Sequence, residues 1–224
     1  MVSADHLNVP GAASAHARNG AAEVTREAIG GHGAMKGIAI YVTVACWVVF
    51  YAYWLASAFA TKRTAERESV AGSLTYRIPV VLAVILLYHA VRMPKPLSEV
   101  VIPSTAPICA LVVALSTTGL LTSLWARMAL GRNWSSVVVL KVGQELVQAG
   151  PYRFVRHPIY SGMTLMFAAI VLLVGRVAGI LAMCLFVYSF VLKLRREERM
   201  MLKQFPTTYP EYMKKTKRLV PFII

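Results

Sequence analysis

Residues 37–60, GIAIYVTVACWVVFYAYWLASAFA, run for 24 positions without one charged side chain. A hydrocarbon core about 30 Å thick takes about 20 residues of helix to cross. A segment in lipid must also satisfy its own backbone hydrogen bonds, which a helix does. This stretch therefore reads as a transmembrane helix. Four more segments share its character: 76–92, 106–128, 159–175 and 177–194. The second is short and holds Pro79 near its start. The fourth and fifth are joined only through Gly175-Arg176, so they must form a tight antiparallel hairpin. Gly162, Gly175 and Gly179 are small enough to let helices approach closely. The expected fold is all-α and multi-pass, with about five transmembrane helices. Residues 36–128 would hold helices 1–3. Residues 129–224 would form a second unit of connecting loop, hairpin 159–194 and C-terminal tail.

Composition agrees, with 57% hydrophobic and only 15% charged residues. That is too apolar for a soluble domain. The formal charge of +14 would point to nucleic acid on a soluble chain. Here the cations lie between apolar segments, so topology accounts for them and no nucleic-acid partner is expected. With five spans, the loop near 61–77, the loop 127–158 and the tail share one side, and they hold 18 of the 24 basic residues. The positive-inside rule makes that side cytoplasmic and leaves the N-terminus outside. Residues 1–35 are Ala/Gly/Ser-rich and lack the pattern of a signal peptide, so a disordered tail is expected. His6, His16 and His32 in it read as solvated, and no metal site is expected. Cys46, Cys109 and Cys184 sit in apolar runs without metal-ligand or disulfide spacing.

The polar chemistry is concentrated in two pieces on the predicted cytoplasmic face. In the connecting loop, GPYRFVRHPIYSG (150–162) places Arg153, Arg156 and His157 directly before an apolar helix. Pro158 disfavours helix at His157 and suits the first turn of the fourth span. His157 should thus stand before a helix N-terminus, where free N–H groups attract anions, with Arg156 adding fixed charge. Ordinary membrane-boundary arginines are the plainer alternative. In the tail, KLRREER places Lys193 and Glu197 four apart, on one face if the fifth helix continues. A solvated ion-pair ladder is the alternative there. Because the hairpin is short and antiparallel, its two ends must meet. His157 and Tyr160 should therefore lie near Glu197. A ligand with a carboxylate, a ribose and a positive centre suits such a site, and S-adenosylmethionine is one.

GPYRFVRHPIYSG, preceded by QELVQ and followed across the hairpin by EERMMLKQFPTTYPEYMKKTKRLVPF, resembles the isoprenylcysteine carboxyl methyltransferase family. More distantly it is similar to the membrane phospholipid N-methyltransferases. The resemblance covers Gly131 to Pro221; the first three spans match only in being apolar. It implies an all-helical membrane enzyme with a cytosolic cofactor pocket closed over by the C-terminal segment. It implies S-adenosyl-L-methionine contacts at Gln144, Glu145, Leu146, Val147, Tyr152, His157, Pro158, Ile159, Tyr160 and Glu197. Two positions depart from eukaryotic members, which often have His at Gln144 and Gly at Pro206. The first bears on cofactor contacts and the second on a turn.

Methyl transfer to a carboxylate needs a cation to hold the acceptor, and Arg156 or Lys193 would serve. Transfer to an amine needs a base, and Glu197 or Glu198 would serve. Abundant cations and few acids favour the carboxylate, so a lipophilic, isoprenylcysteine-like acceptor is the expected partner alongside membrane lipids. A phospholipid or other amine acceptor is the alternative. Ser116, Thr117, Thr118, Gly119 and Trp134 are candidates for lining its route from the bilayer, with plain helix packing the commoner role for such small residues. A non-catalytic protein binding anionic lipid through its basic tail is the alternative from another class. A transporter would carry charge within its spans, and the interiors of these spans carry none.

Overall fold

The computed structural model describes residues 11–58, 64–67, 70–131, 134, 139–141 and 145–219. Six α-helices dominate them: α1 (Gly11–Ala58), α2 (Val70–His89), α3 (Ala106–Leu130), α4 (Pro158–Val174), α5 (Val177–Gln204) and α6 (Thr208–Lys215). Two short strands, β1 (Thr64–Arg67) and β2 (Val139–Lys141), pair antiparallel. The protein is an all-α integral membrane protein.

Four helical stretches, Gly33–Ser57, Ala71–His89, Ala106–Leu130 and Val177–Gln204, are long and apolar enough to cross a membrane. The fourth predicted span, α4, is 17 residues long. At 1.5 Å per residue that is about 26 Å, just short of the hydrocarbon core. Large apolar side chains face outward along α1 and α2, among them Tyr41, Val48, Leu55, Val81 and Tyr88. Such a surface is at home only in lipid.

Two boundaries differ from the sequence reading. Helix α1 begins at Gly11, where a disordered tail to residue 35 was expected. This part of the chain is rich in alanine, the best intrinsic helix former, and it runs straight into an apolar helix that supplies the nucleus. Helix α2 begins at Val70, so Pro79 lies inside it and Arg77 two turns from its start. Pro79 cannot donate to the preceding turn. The Ser189 hydroxyl donates to the carbonyl of Tyr76 in that turn, the kind of side-chain support that makes proline tolerable in a membrane helix.

Packing follows small residues and aromatics. Helices α3 and α4 cross in backbone contact. A Cβ on Gly162 would collide with the Gly119 carbonyl and the Ser123 hydroxyl. Helices α2 and α5 meet through Ala83, Ala182 and Phe186, with Phe167 of α4 stacked on Phe186 at 3.9 Å between ring centroids. The α4–α5 turn uses Gly175 at φ 62°, a conformation that favours glycine. Loop 97–102 closes this end of the bundle. Val101 and Ile102 donate to the Gly175 carbonyl at 2.8 and 3.0 Å, while Val177 and Ala178 donate to Glu99 and Leu97. The free N–H groups at the start of α5 are thereby satisfied by backbone. At the other end lie the β1–β2 pair, loop 145–157 and the C-terminal segment, and there the charged residues gather.

Candidate active site

His157 is the N-cap of α4 and Pro158 its first residue, as the local sequence requires. The hairpin brings the ends of α4 and α5 together. Tyr160 donates its hydroxyl to Glu197 Oε1 at 2.5 Å. His157 Nδ1 lies 3.5 Å from Glu197 Oε2, and its Nε2 lies 3.6 Å from Glu198 Oε1. Those lengths are ion-pair contacts, too long for good hydrogen bonds. Accordingly, Nε2 is buried without a hydrogen-bond partner. Burial pushes the imidazole pKa down, but the two carboxylates outweigh it and leave it raised.

The C-terminal segment straps this cluster down. Arg156 N–H donates to the Lys217 carbonyl at 2.8 Å and His157 N–H to the Arg218 carbonyl at 3.0 Å. The Tyr212 hydroxyl donates to the Tyr152 carbonyl at 2.6 Å. Glu198 receives Arg156 Nε at 2.9 Å and Arg218 Nη2 at 3.0 Å. The other end of the Arg156 guanidinium donates to the carbonyls of Met213 and Thr216.

These contacts revise two expected roles. Arg156 is committed to Glu198 and to the end of α6, which makes it a tie for the strap and a poor holder of an acceptor. Glu198 is the buried centre of three cationic neighbours, Arg156, His157 and Arg218, with its side chain 5% exposed. Lys193 stands elsewhere. Its ammonium lies 4.0 Å from Glu197 Oε1 and 5.1 Å from the centroid of the Tyr160 ring.

Lys193 also borders a cavity of about 610 Å³ between α1, α2, α4 and α5. Its walls are apolar, with Trp47, Val80, Val84, Leu87, Met163, Phe167 and Phe186 among them. Tyr76, Arg77, Ser189 and Lys193 also line it and supply its polar groups. Of the two readings of the third span's small residues, the contacts of Ser116 and Gly119 fit helix packing: Ser116 bonds Thr43 at 2.9 Å and Gly119 is filled by α4. Arg77 and Trp47 were not foreseen; only the docking of α2 against α5 reveals them.

Trp134, also expected on the acceptor's route, is away from this cavity. It meets Trp54 edge to face at 6.1 Å and lies over Arg127. It packs into a cluster with Ala126, Val147, Tyr152, Ile159 and Met163. Three of the expected cofactor contacts, Val147, Tyr152 and Ile159, thus share one apolar patch. Pro158 is buried beside them, Leu146 is half-buried and Glu145 is exposed; Gln144 lies outside the described residues. Burial pushes the Tyr152 phenol well up, Glu197's charge adds to this, and Arg127's charge opposes it. Met163 touches both this patch and the cavity.

Residues 108–208 match the sequence model of the phospholipid methyltransferase family. The match covers just under half of the chain. The matched stretch includes Arg156, His157, Tyr160, Lys193, Glu197 and Glu198; the strap beyond residue 208 and the cavity walls from α1 and α2 lie outside it. The chain is also similar to the uncharacterized protein YpbQ of Bacillus subtilis (strain 168), 34% identical over 79 residues. That similarity covers 34% of this chain and 45% of YpbQ.

Proposed function

We propose that this protein transfers a methyl group from S-adenosylmethionine to a carboxylate at the head of a lipophilic, isoprenylcysteine-like acceptor. The observation that carries the reading is the 610 Å³ cavity, apolar along its walls and bordered by Arg77 and Lys193. It opens among helices, so a lipid tail can enter it from the bilayer. A head carboxylate is held there by charge-assisted contacts. Lys193 is one helical turn from Glu197, which couples the acceptor's head to the candidate cofactor pocket.

The residues present suit the cofactor. His157 Nε2 is an orphaned buried donor, and Trp134, Tyr152, Val147 and Ile159 form an apolar wall. His157, Tyr160 and Glu197 would hold the polar part, with Glu197 as an acceptor for hydroxyl groups. When bound, the cofactor supplies a methyl group on a cationic sulfur. The chain's own contribution is alignment and exclusion of water, worth about 7–11 kcal/mol in the best cases. A carboxylate with an unperturbed pKa near 4 is already ionised at neutral pH and needs no base.

A second reading has its own support. The family match names phospholipids, and Glu197, poised beside Lys193, would serve as base for an ammonium. In that case the cations would hold a phosphate. Methyl-labelled S-adenosylmethionine, offered with a prenylcysteine and with phosphatidylethanolamine, separates the two. The carboxylate reading expects label on the prenylcysteine, released as methanol by mild alkali, and a rate that stays flat from about pH 6 to 8. Alkali-stable label in the phospholipid, with a rate rising tenfold per pH unit, would replace it with the amine reading. We place the site on the cytoplasmic face from the 18 of 24 basic residues on its side; cysteine labelling of loop 145–157 from outside intact cells would overturn that.

A further inference from the structure

Arg127, near the end of α3, is a buried cation with no anion among the described residues. It is 3% exposed, and no carboxylate among the described residues pairs with it. Its Nη1 donates to the Gly131 carbonyl at 2.7 Å and its Nη2 to the Ser57 carbonyl at 3.0 Å. Its guanidinium carbon lies 4.6 Å from the centroid of the Trp134 ring. Its Nε is buried with no hydrogen-bond partner. Two carbonyls tie the ends of α1 and α3 together, but neutral groups would do that as well. Among the described residues they leave its charge without a counter-ion and a donor unused, and charged side chains are almost never buried in that condition.

We propose that Arg127 anchors the carboxylate of the cofactor's amino-acid end. This rests on reading the protein as S-adenosylmethionine-dependent. Trp134, the ring beside the guanidinium, belongs to the same cluster as Val147, Tyr152 and Ile159. The buried Tyr152 phenol of that cluster responds to the charges of both Arg127 and Glu197. Arg127 meets this apolar wall at Trp134, and the wall's Ile159 lies two residues beyond His157, which contacts the hydroxyl-accepting Glu197. The cofactor has a matching layout, with a carboxylate at one end and a ribose diol towards the other. Arg127 brings the delocalised charge and the spare N–H that a carboxylate uses best. Arg77 and Lys193, the cations proposed for the acceptor, line the cavity between α1, α2, α4 and α5, which Arg127 does not, so the two anions of the reaction would be sorted to separate sites.

The test is calorimetric binding to detergent-solubilised protein, with S-adenosylhomocysteine and its decarboxylated analogue, S-adenosyl-3-thiopropylamine. Wild type should bind the carboxylate-bearing ligand about 10- to 100-fold more tightly, the range of a hydrogen bond to a charged group. Arg127→Met should lose that factor for S-adenosylhomocysteine and bind both ligands alike, while Arg127→Lys should retain part of the preference. Equal binding of the two ligands by wild type would overturn the proposal and leave the cofactor reading standing. So would an Arg127→Met protein weakened equally toward both, since that is a structural role. If wild type binds neither ligand, the cofactor reading falls as well. Should Arg127→Met fail to fold, the comparison of ligands on wild type still decides.

Discussion

On the strap side of the cluster, Glu198 is 5% exposed and meets Arg156, Arg218 and His157; on the groove side, Glu197 is 22% exposed and meets Tyr160, Lys193 and the other nitrogen of the same histidine. The two acids are adjacent, so on a helix they point about 100° apart. The His157 ring sits in the angle between them. That one-residue offset separates two tasks. Glu198's oxygens are saturated by cations from loop and tail, which fixes the strap. Glu197 keeps some exposure and faces the phenol and the lysine that border the cavity, which leaves it able to meet a ligand.

The comparison would break first at Glu198. Glu198→Gln leaves buried Arg156 without its anion, and breaking a buried pair in this way costs about 3–5 kcal/mol. A large fall in Tm in detergent, with early proteolysis after residue 204, is expected. An unchanged Tm would mean that the strap is held by its backbone bonds alone. Glu197→Gln should do the opposite. Stability should change by no more than about 1.5 kcal/mol, the scale of one hydrogen bond, while methyl transfer falls by about 100-fold or more. Full turnover in that variant would remove Glu197 from the site.

Lys193→Met sharpens the groove side further. The acceptor's KM should rise about tenfold, as expected for one lost charge-assisted contact, with affinity for S-adenosylhomocysteine within twofold of wild type. A change in cofactor affinity alone would move Lys193 to the other ligand. The smallest effect belongs to the shared histidine. Its folded pKa is raised above the unfolded value of about 6.5. Its contribution to stability is therefore complete below that value and is lost as pH rises through the folded pKa. Melting curves across the neutral to alkaline range should show a decline that His157→Gln removes. A decline of the same size in the variant would assign it to another group.

Much of the site was legible because its determinants are local. Gly175-Arg176 forces α4 and α5 into a hairpin, so His157, Tyr160 and Glu197 had to meet. Pro158 fixed where α4 starts. What stayed hidden depends on contacts distant in sequence. Arg156 passes for a boundary or acceptor-binding arginine until the tail folds back and supplies Glu198's second cation and the carbonyls of 213 and 216. Arg127 looks like one more basic residue on the positive side, and only the packing of α1 and Trp134 buries it. The small residues of the third span suggested a passage, yet smallness there serves the close crossing with α4. The cavity needs α2 docked on α5, a pairing of residues about a hundred positions apart that no local pattern announces.

The claim that the acceptor's tail lies in the cavity with its head at Lys193 is tested most directly by photo-crosslinking. A prenylcysteine carrying a diazirine along its chain, irradiated with the protein in bilayers and mapped by mass spectrometry, should label the cavity walls. The expected sites are Val80, Val84 and Leu87 of α2 and Phe186 of α5, and competing unlabelled prenylcysteine should suppress them. Labelling concentrated instead on Ser116–Gly119 of α3, or labelling that the competitor leaves untouched, would contradict it.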